Sequence, residues 1–313
     1  MGTPDAAVTA APVAPAAASA TPVVVPRLPG TPELGSDGSY TFSGAGLELV
    51  VDPRAAGNVT RFALDGKNML VDAEASVAAW GATFWPSPRS SWSGGPPPEL
   101  AARAYTAELE GSSLVLRSEP AAKLGLKLVK RYRLDTARRA VEVTYQLQNL
   151  TDRPLRVSPW ELHHVASGGG LTFFPSARKL YPQSTLRLDP STPVTWYTHD
   201  QFREPKPLEL YADGAEGWLA SVQGGLLFVK VFDDAPESAH APGEAEIEIV
   251  ADWDVLTKQR RYVSLAQQGA YAELGPGEAS VWNTRWFLRR IPTGIAARAG
   301  NPELVGFVRG VIN

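Results

Sequence analysis

The 313-residue chain can hold one large all-β domain or two domains of average size, and an apolar share of 44% is enough for a sizeable core. A formal net charge of −3 without a basic stripe argues against a nucleic-acid partner, and no apolar run is long enough to cross a bilayer as a helix. The absence of cysteine excludes disulfides, thiolate metal sites and a cysteine nucleophile.

Residues 2–38 are dominated by Ala, Pro, Thr, Val and Ser. Repeated prolines block both helix and ladder pairing, so this stretch is expected to be an extended linker. Tethers of this composition follow removed export signals or lipid anchors. An exported chain, periplasmic or tethered to the envelope, is therefore expected, with a cytoplasmic location left open. No charged segment followed by an apolar one precedes the linker.

From Tyr40 onward the pattern is one of short apolar or alternating runs broken by Gly, Pro, Asn and Asp. Gly46–Val51 and Val59–Leu64 read as strands, the second turning at Asp65-Gly66 towards Met69–Val71. Next come Trp80-Gly81-Ala82-Thr83-Phe84-Trp85-Pro86-Ser87-Pro88-Arg89-Ser90-Ser91-Trp92 and then Gly94 to Pro98. Three Trp, one Arg and five Pro within nineteen residues predict a rigid aromatic loop, with Trp85 and Trp92 as stacking platforms and Arg89 as a fork for hydroxyls or carboxylates. The alternative is that the Trp side chains plug the core and the prolines route a long connection.

Two windows favour helix, Glu99–Glu110 and Ile295–Val311. Leu114–Ser118 and Leu124–Leu134 read as strands. In Val141–Gln148, apolar and polar residues alternate with the period of a half-buried strand. Pro159-Trp160-Glu161-Leu162-His163-His164-Val165 ends another strand. In an extended segment Glu161 and His163 share one face, and Trp160, Leu162 and His164 share the other. A His beside a carboxylate suits a proton donor held by its partner, a ligand hydrogen bond, or a satisfied structural pair. A metal would need further ligands, and the remaining histidines, His199 and His240, are distant in sequence; neither a metal nor any other cofactor is expected.

Trp196-Tyr197-Thr198-His199-Asp200-Gln201-Phe202-Arg203 reads as a loop, either closing over a ligand through His199 or tucking its aromatics inward. Gly217–Val222 and Leu226–Phe232 flank Gln223-Gly224-Gly225 as a hairpin. Glu244, Glu246 and Glu248 alternate and read as a solvated strand face rather than a carboxylate set. Ser280–Arg289 places Trp282, Thr284, Trp286 and Leu288 on one face, and the tail after Pro292 is expected to pack outside or fray. Many short strands at this spacing predict an all-β fold, a large antiparallel sandwich. The expected division is a linker at 1–38, a sandwich at 39–293 and a tail at 294–313. No phosphate-cradling glycine loop, nucleophile elbow or nucleotide fingerprint appears.

The run from Gly81 through Trp85-Pro86-Ser87-Pro88 and Ser91-Trp92 to Pro96-Pro97-Pro98 resembles a bacterial family of the galactose mutarotase superfamily. Tyr132-Arg133-Leu134, Val141–Asn149, Asn149-Leu150-Thr151-Asp152-Arg153-Pro154 before Trp160, and Gly269 to Leu288 add to the resemblance, which spans about Tyr40 to Pro292. It implies the β-supersandwich of aldose 1-epimerases. In those enzymes a Glu is the base on the anomeric hydroxyl and a His the acid toward the ring oxygen. The His falls near His163 or His164 here. Ser264 stands about where the base is expected, Glu273 is the nearest carboxylate, and no His precedes His163.

The leading expectation is a carbohydrate-binding protein. In it, Trp85, Trp92 and Trp160 wall a cleft, and Arg89, Glu161, His163 and His199 meet the ligand. The second is an isomerase at an anomeric carbon, with His163 or His164 as acid and Glu161 or Glu273 as base. The third is an envelope interaction module in which Arg89, Trp92, Glu161 and His163 do not converge.

Overall fold

A computed structural model describes residues 2, 28–73, 79–92, 94–189, 191–199 and 205–313. In chain order the strands are β1 (Glu33–Leu34), β2 (Tyr40–Gly44), β3 (Leu47–Asp52), β4 (Asn58–Leu64), β5 (Lys67–Asn68), β6 (Ala82–Ser87), β7 (Thr106–Glu110), β8 (Ser113–Arg117), β9 (Leu126–Asp135) and β10 (Ala140–Asn149). They continue as β11 (Leu155–Ala166), β12 (Leu171–Leu180), β13 (Val194–Thr198), β14 (Leu208–Gly214), β15 (Trp218–Gln223), β16 (Leu226–Val231), β17 (Ile247–Ala251), β18 (Tyr262–Gln268), β19 (Ala272–Leu274) and β20 (Ala279–Arg290). Among the described residues there are two helices, α1 (Pro98–Ala101) and α2 (Pro302–Ile312).

All pairings are antiparallel and form two layers. The first runs β1–β2–β3–β4–β6–β11–β18–β17–β14. The second runs β7–β8–β9–β10–β20–β16–β15–β12–β13. Strand β12 joins them: its first half pairs in the second layer, and after a register shift between Ser176 and Lys179 it pairs with β14 in the first. Such a shift lets one strand turn a corner between sheets.

The core lies between the layers. Phe84 of the first layer stacks on Tyr145 of the second, ring centroids 3.9 Å apart, and Phe62 meets Trp286 edge-on at 6.1 Å. Each such aromatic, fully buried, contributes about 1.5–3 kcal/mol. The alternation in Val141–Gln148 and the shared face of Trp282, Thr284, Trp286 and Leu288 both point into this space. Turns follow the glycines: Asp65-Gly66 and Gly224-Gly225 have positive φ at both positions and close the β4–β5 and β15–β16 hairpins.

Three expectations are corrected. Ala82–Ser87, read as part of a loop, is a strand, because Trp85 and Pro86 pair with Trp160 and Pro159 of β11. In Glu99–Glu110 only the first turn is helical, and Thr106–Glu110 pairs with β8, its Ala107 and Leu109 opposite Leu116 and Leu114. The expected linker also differs at its edge, because Glu33–Leu34 pairs with β2. The helical window Ile295–Val311 and the outward-packing tail are found as α2, which inserts Leu304, Val305 and Val308 against Trp218, Val229 and Phe287 on the back of the second layer. Residue 1 and residues 3–27 of the expected linker lie outside the described residues.

Candidate ligand-binding face

The alternation of β11 divides the sequence-predicted residues into two groups. Glu161 and His163 point between the layers. Trp160, Leu162 and His164 point to the opposite, outer face of the first layer.

Inward, Glu161 has no exposed surface and is held by four groups. Its Oε2 accepts from the Thr284 hydroxyl at 2.9 Å and the Trp286 indole N–H at 3.2 Å; its Oε1 accepts from the Gln267 amide. The Lys230 ammonium lies 3.4 Å from Oε1 and donates to the Leu265 carbonyl at 3.0 Å. Burial draws the Lys230 pKa down to about 8, with Glu161 opposing the change. His163 Nδ1 is 3.5 Å from Glu161 Oε1, and the ring sits edge-on to Trp286 at 4.4 Å. Burial, reinforced by Lys230, holds His163 well below the usual imidazole range, so it is neutral. This is a buried ion pair, and neither Glu161 nor Lys230 has exposed surface. The expectation that Glu161 and His163 share a cleft with Arg89, Trp85 and Trp92 is therefore corrected: a side-chain period of two puts them across the sheet.

Outward, the register aligns three rows. Trp85, Trp160 and Gln268 form the first; Thr83, Leu162, Ala266, Glu248 and Tyr211 the second; His164, Ser264 and Val250 the third. The tight turn after Trp85 swings Trp92 back over this face. Its ring lies 5.9 Å from Trp85 and 5.8 Å from Trp160, so three indoles pack together.

Arg89, in the 3₁₀ turn Arg89–Ser91, crosses the same face. Its backbone N–H donates to Glu244 Oε1 at 2.9 Å, and its guanidinium lies 3.1 Å from a carboxylate oxygen of each of Glu244 and Glu248. The guanidinium carbon stands 4.8 Å above the Trp160 ring and 5.9 Å from the Tyr211 ring. The Gln268 amide donates to Glu244 at 3.0 Å and to Glu248 at 3.1 Å, and the Ser87 hydroxyl donates to Gln268 at 2.9 Å.

Burial pushes the Glu248 carboxyl well up the pH scale, Arg89 pulling against it and Glu244 adding to it. Burial works on Glu244 in the same sense, but hydrogen bonds and Arg89 outweigh it and leave Glu244 lowered.

Of the expected acid–base set, His164 alone lies on this outer face, directly opposite Ser264. Its backbone N–H donates to the Gly81 carbonyl at 2.9 Å, and burial draws its pKa down to about 4. Gly81 has φ 64°, and a Cβ there would stand 2.2 Å from the Val59 carbonyl oxygen, so the turn that holds His164 requires glycine. Glu273 is exposed on β19 opposite Arg156, five residues or about 17 Å along β11 from Glu161. It cannot act with His163 or His164 as expected. His199 is likewise displaced: fully buried at the end of β13, it shares a 2.8 Å hydrogen bond between its Nε2 and the Thr172 hydroxyl in the second layer. Asp200 to Arg203, the rest of that predicted loop, lie outside the described residues.

Sequence reasoning missed Glu244, Glu248, Gln268 and Tyr211. Glu244, Glu246 and Glu248 are all buried, which corrects their reading as a solvated face. The counter-charge of Glu244 and Glu248 is Arg89, 155 residues before Glu244 in the chain.

No protein-family model matches the sequence, and no curated protein matches it either. Solved structures do. A candidate aldose 1-epimerase of Escherichia coli K12 superposes with a TM-score of 0.57 at 13% identity, over 81% of this chain and 99% of that one. Galactose mutarotase-like proteins from Clostridium acetobutylicum and Lactobacillus casei superpose with TM-scores of 0.55 and 0.56 at 10% and 11% identity. They cover 83% and 80% of this chain, and 98% and 100% of their own. At these identities the likeness is one of fold: the chain has the galactose mutarotase-like architecture, as the sequence resemblance implied.

Proposed function

We propose, taking the galactose mutarotase-like fold as the premise, that this chain binds carbohydrate on the outer face of its first layer. The observation that carries the reading is the convergence of Trp85, Trp92 and Trp160 with the Arg89–Glu244–Glu248–Gln268 cluster on one face. A sugar needs an apolar surface for its ring C–H face and a few fixed polar groups for its hydroxyls, and this face supplies both.

A second feature supports it. The three indole N–H groups and the Thr83 hydroxyl are enclosed yet have no hydrogen-bond partner among the described residues. Each such group costs about 1–3 kcal/mol, which favours a state in which ligand hydroxyls satisfy them.

Binding rather than isomerisation is favoured, because Ser264 faces His164 and a serine hydroxyl cannot take the anomeric proton unaided. An envelope location belongs to the same proposal and is supported by the Ala/Pro-rich composition of residues 2–38. Titration calorimetry against a broad panel of neutral and acidic sugars tests the binding. Saturable heats that vanish in Trp92→Ala are expected, and silence across the panel removes the reading.

A further inference from the structure

The turn that delivers Arg89 to the carboxylates also builds a second chamber. Beyond Trp92, on the side away from Trp85 and Trp160, lies a pocket of about 430 Å³ walled by Trp92, Pro96, Pro97, Pro98 and Leu124, with Lys123 and Glu99 at its rim. That volume falls within the roughly 300–1,000 Å³ of small-molecule sites. We infer that the ligand is an oligosaccharide of at least two rings, the first on the Trp85–Trp160–Arg89 face and the next in this pocket, with Trp92 as the shared wall. The inference rests on the carbohydrate reading above and adds the ligand's length.

Both walls are anchored, so the pocket is preformed. Leu100 of α1 is fully buried, and its carbonyl accepts from the Tyr105 hydroxyl at 3.0 Å. The three prolines fix the backbone leading into α1. Across the pocket, the Leu124 N–H donates to the Ala121 carbonyl at 3.0 Å, and Ala121 is itself buried. A preformed pocket spares the ordering cost that a mobile loop imposes on binding.

The lining also fits a neutral ring. Trp92 and the prolines give flat apolar surface, while Lys123 and Glu99 place one donor and one acceptor of opposite charge at the edge. On the first face the Arg89 guanidinium is paired with both Glu244 and Glu248, so no positive charge stands free there. Neither chamber offers an uncompensated positive charge to select an acidic sugar.

The test measures dissociation constants by calorimetry for glucose, galactose and their homologous oligosaccharides up to six rings. The wild type is compared with Lys123→Ala and Glu99→Gln, surface substitutions whose folding is confirmed by thermal midpoint. Affinity is expected to rise at least tenfold between one ring and two or three, then level off. Each substitution should reduce that gain about fivefold or more. Equal affinity for one ring and many overturns the inference while the carbohydrate reading stands. A length gain untouched by both substitutions also overturns it, because the second ring then sits elsewhere. Absence of binding at every length defeats the carbohydrate reading, and the inference falls with it.

Discussion

Trp160 and Glu161, consecutive on β11, serve opposite sides of one sheet: the indole packs with Trp85 and Trp92 on the outer face, while the carboxylate accepts from Thr284 at 2.9 Å and Trp286 at 3.2 Å inside the sandwich. One residue of register therefore separates recognition from stability. Glu161→Gln removes the carboxylate that balances Lys230, and breaking a buried pair from one side costs about 3–5 kcal/mol. We expect a urea midpoint lowered accordingly and, under native conditions, sugar affinity within twofold of wild type. A large affinity loss at unchanged stability would place Glu161 in the site after all.

On the outer face the expected effects are reversed. Trp92 is half-buried and packs on two indoles, so Trp92→Ala should weaken sugar binding tenfold or more and lower stability by no more than about 1–2 kcal/mol. Calorimetry and thermal unfolding on the same preparation separate the two effects.

Arg89 carries a structural duty alongside its place at the site. Without it, Glu244 and Glu248 remain buried and face each other with only Gln268 between them. Arg89→Ala should destabilise by about 2–3 kcal/mol, and the loss should be smaller in a Glu248→Gln background, where one carboxylate is already neutral. A double-mutant cycle in urea is expected to give a coupling of about 1–2 kcal/mol. Additive effects would mean that the guanidinium and the Glu248 carboxyl act independently.

What was legible in the sequence follows from how local each signal is. The alternation of Val141–Gln148 and the Gln223-Gly224-Gly225 hairpin are set by neighbours within one strand or turn, and both appear as read. The same period assigned Trp160 and Glu161 to different faces, so placing them in one cleft contradicted the reading's own geometry. The burial of Glu244, Glu246 and Glu248 was not local. Alternating Glu and Ile describe a half-exposed strand equally well until Arg89 and the Trp92 turn cover it. Glu246 shows this most sharply: its two oxygens accept from the Gly214 and Ala235 N–H groups, a pairing that no short-range pattern encodes.

Lys130 gives the stability a basic limb. It is fully buried, donates to the Ala56 carbonyl at 2.9 Å, and burial draws its pKa down to about 7. The unfolded chain holds this proton up to about pH 10.5, so between pH 7 and 10 the unfolded state binds more protons and stability rises with pH. Its contribution is fully present above the unfolded pKa and is lost as pH falls through about 7. Lys230, drawn down to about 8, acts in the same direction. Urea midpoints at pH 7, 8 and 9 should rise more steeply for wild type than for Lys130→Met, by at most about 1.4 kcal/mol per pH unit. Parallel slopes would show that Lys130 keeps its proton in the folded protein throughout this range.

The last element of the chain shields the layer that the binding face does not use. Asn301 caps α2 by accepting from the Glu303 N–H at 3.1 Å, Pro302 follows at the first helical position, and Leu304 and Val308 are fully buried against the second layer. Leu304, Val305 and Val308 hold the helix down, with Phe307, Val311 and Ile312 packed at the edge, while Gly306 and Gly310 weaken it from within. Leu304→Ala should cost about 2–4 kcal/mol through the cavity it leaves beside Trp218 and Phe287. Arg309→Ala, which breaks a half-exposed pair with Glu216, should cost less than about 1 kcal/mol. Thermal unfolding of the two variants checks the ranking. Because α2 lies on the second layer, sugar affinity should be unchanged in both, and a shift in either would mean that the layers are coupled through the core that contains Glu161 and Trp286.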